Sequence, residues 1–148
     1  MARFLVVGGG CRALALADEL GRDGHAFRMA SRGAARRDQI EAVGGECIDA
    51  DPDRIGTLRY ALDNVTILMW LLGNLEAEEL HGSRWKMMLE RTIDSTVRGV
   101  VYERGSDAGE ALTRQMAEYN GIPYAIIDAG TEPWVPAARS AVEGLLQA

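Results

Sequence analysis

The stretch Arg3-Phe4-Leu5-Val6-Val7-Gly8-Gly9-Gly10-Cys11-Arg12-Ala13 decides the fold. Its first five residues are a short run dominated by apolar, β-favouring side chains, the composition of a buried strand. Three glycines follow at once, and an alanine- and leucine-rich segment from about 12 to 20 then has helical character. Strand, glycine turn and helix in that order give meaning to the pattern Gly-x-Gly-x-x-Ala formed by Gly8, Gly10 and Ala13. Gly8 permits the tight turn out of the strand. Gly10 has no side chain, so a pyrophosphate can approach the backbone. Ala13 is small enough for the helix to pack close to the strand. The free N–H groups of the first helical turn, where Cys11 and Arg12 sit, face the phosphates with the positive end of the helix dipole. The expectation is a dinucleotide site; the alternative is a glycine turn that serves the backbone alone.

Outward from this turn the same alternation repeats. Strands are expected over 25–30, Glu46–Asp49, 65–72, 98–102 and 122–128. Helices are expected over 34–43, 52–62, 84–94, 107–119 and Trp134–Leu146, with a loop or short helical turn over 73–79. Asp51 is a good N-cap and Pro52 suits the first position of the helix that follows. Ile55, Leu58 and Leu62 share one face of that helix. Trp85, Met88, Leu89, Thr92 and Ile93 share a face of the next long one, and Ala108, Ala111, Leu112, Gln115, Met116 and Tyr119 a face of the fifth. The continuous apolar run 65–72 is that of a central parallel strand covered on both sides. Six strands alternating with helices imply a three-layer α/β Rossmann fold. Its doubly wound parallel sheet has the order 3-2-1-4-5-6, with ligands at the carboxyl ends of the strands.

Composition bounds the rest. A chain of 148 residues, 47% hydrophobic, suits one domain spanning 1–148 with a real core. No apolar run reaches the roughly 18 residues of a membrane span, and the start does not resemble a signal peptide. A net charge of −6 argues against a general nucleic-acid surface. Cys11 and Cys47 lack metal-ligand spacing and form no disulfide framework, which fits a reducing, cytoplasmic setting. His25 and His81 are not spaced as a metal pair, so no metal site is expected.

Four arginines, Arg28, Arg32, Arg36 and Arg37, crowd into ten residues of this acidic chain. No carboxylate lies within the six residues after Ala30, where sites that prefer NAD usually place one against the ribose 2′-hydroxyl. Ser31, Arg32, Arg36 and Arg37 instead offer a hydroxyl and three guanidinium groups suited to a phosphate. This favours NADP(H) over NAD(H), the alternative being a solvated arginine face. Asp51, after the third strand, is placed to accept from the adenine amino group as well as to cap its helix. Leu71, Leu72 and Gly73 would line the cofactor's middle, or serve as core and turn. His81, Tyr102 and Ser106 are the hydrogen-bonding groups available near strand ends for any chemistry.

Together, 3–13, Ser31-Arg32, Asp49-Ala50-Asp51 and Leu71-Leu72-Gly73 resemble the atypical short-chain dehydrogenase/reductase superfamily, including its NmrA-like branch. The resemblance implies that the glycine loop holds the pyrophosphate, that Arg32 meets the 2′-phosphate and that Asp51 meets adenine. It covers the first half well and the second half only in strand order. The family's catalytic Tyr-x-x-x-Lys is absent: the one lysine, Lys86, has Gly82 four positions before it. The C-terminal substrate domain of extended members is expected to be missing too. In this family the fourth and fifth helices commonly form a dimer interface. With the apolar helix 84–94, that implies a homodimer. Three readings stand: an NADP(H)-binding sensor, regulator or subunit; a small NADP(H)-dependent oxidoreductase with a non-standard site; or an oligomerising protein with a vestigial, empty site.

Overall fold

The computed structural model describes residues 2–58, 60–75 and 77–148. Strands β1 (Arg3–Gly8), β2 (Ala26–Ser31), β3 (Glu46–Asp49), β4 (Ile67–Leu71), β5 (Gly99–Arg104) and β6 (Tyr124–Asp128) form one sheet in the order β3-β2-β1-β4-β5-β6. All five strand pairings are parallel. The doubly wound α/β sheet expected from the alternation is therefore present, and its order reverses between β1 and β4. Helices α1 (Gly10–Arg22), α2 (Arg37–Ala42), α3 (Glu78–His81), α4 (Ser83–Thr92), α5 (Asp107–Asn120) and α6 (Trp134–Leu146) complete it. Among the described residues no helix is long and apolar enough to cross a membrane.

The two-residue period of a strand sorts the core into two layers. Phe4, Val6, Ile67, Met69 and Leu71 pack with Leu16, Ala17 and Leu20 of α1 and Ala138 and Val142 of α6. Leu5, Val7, Leu68, Trp70 and Leu72 pack with Trp85, Met88 and Leu89 of α4 on the other side. This is why β1 and β4 read as unbroken apolar runs: both of their faces are covered.

Two expected helices differ. Over 52–58 and 60–62 the expected helix is replaced by turns and a 3-10 turn at Ile55–Leu58, and residue 59 of that expected helix lies outside the described residues. Local side-chain bonds win over the helix there. The Asp51 carboxylate accepts from the Asp53 N–H at 2.9 Å, and the Thr57 hydroxyl accepts from the Asp51 N–H at 2.8 Å. The apolar positions keep their purpose, since Ile55, Leu58 and Leu62 are buried. The helix over 34–43 shortens to α2, because Gly33 and Ala34 take positive φ angles in a preceding 3-10 turn.

The buried face of α5 is also shifted. Gly109, Thr113 and Ala117 are buried and Leu112 and Met116 of the expected face pack half-buried against the core, while Ala108, Ala111, Gln115 and Tyr119 face outward. Polar packing sets this choice. Gly109 lies against the Tyr102 hydroxyl, where a Cβ would collide. The Thr113 hydroxyl takes the indole N–H of Trp85 at 2.8 Å.

Candidate functional site

Gly8, Gly9 and Gly10 have φ angles of 83°, 88° and 57°, all in the left-handed region that side chains avoid. Contacts fix the first two. A Cβ on Gly8 would strike the Leu72 side chain and the Leu71 carbonyl, and one on Gly9 would lie 2.5 Å from the Cβ of Ala13. Ala13 is fully buried, so its small size does allow α1 to sit close. Gly10 differs, since no heavy atom lies within 4 Å of a Cβ built on it. Its bare backbone faces open space at the N-terminus of the 13-residue α1.

Beside this turn is a cavity of about 170 Å3, lined by Val7, Gly8, Ala30, Arg32, Ala50, Pro52, Leu72 and Leu75. It lies at the carboxyl ends of β1, β2, β3 and β4, next to the reversal of strand order, where open α/β sheets bind ligands. Gly8, Arg32 and Leu72 were legible in the sequence as site residues. Val7, Ala30, Ala50, Pro52 and Leu75 were not read as site residues, although Ala30 ends one expected strand and Ala50 directly follows another. That position was the signal that could have found those two.

The arginine cluster is resolved into separate roles. Arg32 is exposed at the cavity rim, its Nε 3.6 Å from an Asp51 carboxylate oxygen. Arg36 turns back toward the glycine loop, donating to Gln39 at 3.2 Å, with its Nη2 4.0 Å from the Cys11 sulfur. Arg37 pairs with Glu41 on α2. Arg28 is buried, and one of its nitrogens donates to the carbonyls of Ala61 and Asp63. Ser31 is buried and its hydroxyl accepts from the Arg36 N–H at 3.0 Å, so it shapes the turn. Asp51 is committed to the Asp53 N–H and to Arg32.

Across the reversal the strand ends are closed by a second cluster, which sequence reading missed. Glu103 on β5 is wholly buried. Its Oε1 accepts from the Gly73 N–H at 2.8 Å. Its Oε2 accepts from the Trp134 indole N–H at 2.8 Å and from Arg12 at 3.1 Å. Arg12 also donates to the Ala129 carbonyl at 2.7 Å, and its guanidinium lies over the Trp134 ring at 4.6 Å. Arg12 thus turns toward Glu103 rather than to open solvent, and Gly73 packs on Glu103 rather than lining the cavity. Leu71 is core. An acid directly after the apolar run Val100-Val101-Tyr102 carried a signal, but its partners are distant in sequence.

The three hydrogen-bonding candidates meet on the opposite face of β5. His81 Nε2 is 2.9 Å from the Leu75 carbonyl, which can only accept, so Nε2 carries the proton. In that tautomer Nδ1 is the acceptor for the Tyr102 hydroxyl at 2.7 Å. Ser106 adjoins Tyr102 and caps α5 by accepting from the Gly109 N–H at 2.9 Å. Burial pushes the Tyr102 phenol above its ordinary value, against weaker lowering by the Gly105 N–H and Ser106. Tyr102 is 0% and His81 3% exposed. Tyr102 stacks on Trp85, which stacks on Trp70, with ring centroids 5.6 and 5.1 Å apart. Among the described residues no group of three His, Cys, Asp or Glu could hold a metal.

No protein-family model matches the chain, and no curated protein matches it. Solved structures do. A UDP-glucuronic acid 4-epimerase from Bacillus cereus, solved with NAD, superposes with a TM-score of 0.65 at 12% identity, over 85% of this chain and 55% of the epimerase. Vestitone reductase from alfalfa gives 0.66 at 14%, over 85% and 56%. An NADPH-dependent quinone oxidoreductase from Escherichia coli gives 0.61 at 17%, over 95% and 53%. The chain spans about half the length of each, and the likeness is one of fold.

Proposed function

We propose that this chain is a nucleotide-binding Rossmann protein whose ligand is NADP(H) in preference to NAD(H). In this reading it acts as a sensor, regulator or subunit rather than by Tyr-x-x-x-Lys reductase chemistry. One observation carries it: three consecutive left-handed glycines join a buried parallel strand to α1, and Gly10 opens beside a mostly apolar cavity with Arg32 on its rim. The fit is specific to chemistry. First-turn N–H groups of α1 would take the pyrophosphate. Ala50, Pro52, Leu72 and Leu75 would take the adenine faces, and Arg32 the 2′-phosphate. NAD and NADPH appear among the structural neighbours, which supports the same class of ligand.

The nicotinamide cofactor's own chemistry is hydride transfer. The buried Tyr102–His81 pair supports a role apart from it, because its proton is already held and its site is covered. The sequence reading of a homodimer also narrows. Trp85, Met88 and Leu89 pack on the protein's own sheet, leaving Met87, Ile93 and Tyr119 as the exposed large hydrophobic residues of α4 and α5 and the turn between. Light scattering at high micromolar concentration tests the dimer, and a mass of 16.1 kDa would end that part of the reading.

Calorimetric titration with NADPH, NADP+ and NAD+ tests the ligand. Tighter binding of the 2′-phosphorylated forms is expected. Absence of binding by all three would leave the empty-site alternative, and NADPH oxidation with a carbonyl panel would establish the oxidoreductase one.

A further inference from the structure

Resting on the nucleotide reading, we propose that the site is built for the 2′-phosphoadenosine diphosphate half of the ligand alone, and that the group beyond the pyrophosphate stays outside the fold. A dinucleotide in an open α/β sheet straddles the reversal of strand order, one half on each side. The side over β1, β2 and β3 has the cavity and Arg32, with Leu72 and Leu75 after β4 closing its wall at the reversal. The other half of the ligand would have to lie over the ends of β4, β5 and β6, and those ends are bolted together by side chains. Glu103 from the end of β5 holds Gly73 after β4, Trp134 at the start of α6 and Arg12 from the first turn of α1. Arg12 in turn holds Ala129 after β6 and covers the Trp134 ring.

This cluster has no slack. A Cβ on Gly73 would lie 2.6 Å from the Glu103 Cγ, so the Gly73 backbone packs directly on the Glu103 side chain. Glu103 and Trp134 are 0% and 3% exposed. Admitting a nicotinamide ring would separate a buried carboxylate from its cation, which is strongly unfavourable in a low-dielectric interior. The adenosine half demands no such change. The site therefore distinguishes its ligands by the phosphorylated adenosine and is indifferent to what is attached at the far phosphate.

The full chain is titrated with NADPH, NADP+, 2′-phospho-ADP-ribose and nicotinamide mononucleotide by calorimetry. Expected is an affinity for 2′-phospho-ADP-ribose within about tenfold of that for NADPH, a gap of at most ~1.4 kcal/mol. Nicotinamide mononucleotide is expected to give no heat of binding at millimolar concentration. Saturation-transfer NMR on bound NADP+ should mark the adenine and its ribose strongly and the nicotinamide protons at background. A larger gap in favour of NADPH, or equal saturation at both ends, overturns this inference and leaves the NADP(H) reading standing. If none of the four compounds binds, the nucleotide reading itself falls and takes the inference with it.

Discussion

The two halves of the sheet end in different ways. At the carboxyl ends of β2 and β3, short local bonds shape the turns: Asp49 accepts from the Gly33 N–H, Ser31 from Arg36 and Asp51 from Asp53. At the ends of β4, β5 and β6, long-range side-chain bonds cross from element to element, spanning up to 117 residues of sequence between Arg12 and Ala129. Tyr102 and Glu103 are neighbours on β5, yet strand alternation sends one to His81 under α5 and the other to Arg12 and Trp134 under α1 and α6. One half leaves a cavity and the other leaves a clasp. The same topological edge thus carries the cavity of the proposed site on one side and a clasp of side chains on the other.

The largest effect expected from this contrast is at Glu103. Glu103→Ala leaves the Arg12 guanidinium, the Trp134 N–H and the Gly73 N–H without their shared acceptor. Breaking one member of a buried pair costs about 3–5 kcal/mol. At roughly 2–4 °C per kcal/mol for a chain of this size, the melting temperature should fall by ~6–20 °C. Glu103→Gln keeps an acceptor and should fall less. Calorimetric melting within about 2 °C of the parent for Glu103→Ala would mean that the clasp does not hold this half.

A pair of glycine substitutions sharpens the comparison. Gly109→Ala drives a methyl group into the Tyr102 hydroxyl and should destabilise by about 1–3 kcal/mol without touching the cavity. Gly10→Val meets no neighbour but strains a left-handed position, for about 1–2 kcal/mol. Gly10→Val should nevertheless abolish nucleotide binding, because its branched side chain occupies the approach to the backbone. The expected outcome is therefore crossed: binding kept with lower stability in one variant, binding lost with the fold kept in the other. Unchanged binding in Gly10→Val, measured by calorimetry, would remove the glycine turn from the site.

A smaller effect concerns alkaline pH. The folded state holds the Tyr102 phenol above its ordinary value of 10, chiefly by burial. Between that value and the folded one, the native state binds more protons than the unfolded state. Stability should then fall as pH rises past about 10, having been level in this respect below it. Tyr102→Phe removes the phenol and should flatten that part of the profile, at the cost of leaving His81 Nδ1 without its donor. Urea midpoints at pH 9 to 11 compare the two chains, and parallel profiles would deny Tyr102 the role.

The same contrast explains what could be read in advance. Sheet order, strand positions and α1 were legible because apolar runs and glycines report local backbone needs. The turn geometry at Gly8, Gly10 and Ala13 was legible because those residues are contiguous in sequence, and Arg32 was a candidate from its place directly after the second strand. The helix expected after Asp51 was lost to the Asp51 and Thr57 bonds, which compete with it at the same residues. The role of Glu103 was out of reach for another reason. Its meaning comes from Arg12, Gly73 and Trp134, which only folding brings together. The face of α5 was misjudged likewise, since Gly109 and Thr113 are buried for the sake of Tyr102 and Trp85 rather than by their own hydrophobicity.

The smallest expected change in stability, and the one that bears most directly on the open half, is at Arg32. Its side chain is exposed and its ion pair with Asp51 is long, at 3.6 Å. Such surface pairs contribute about 0–1 kcal/mol, so Arg32→Ala should melt close to the parent. Binding should respond more. A hydrogen bond to a charged group is worth about 1.5–3 kcal/mol, or roughly ten- to a hundredfold in affinity. Asp51 competes for the same guanidinium, which places the loss of NADP(H) affinity near the lower end, about tenfold. NAD(H), lacking the 2′-phosphate, should bind the variant as it binds the parent. Asp51→Asn tests the competition from the other side: freeing Arg32 should tighten NADP(H) and leave NAD(H) unchanged. If Arg32→Ala weakens both cofactors equally, Arg32 does not read the 2′-phosphate. Arg36, beside Cys11 on the glycine-loop side, then becomes the residue to substitute, because it is the remaining arginine of the cluster that reaches toward the turn.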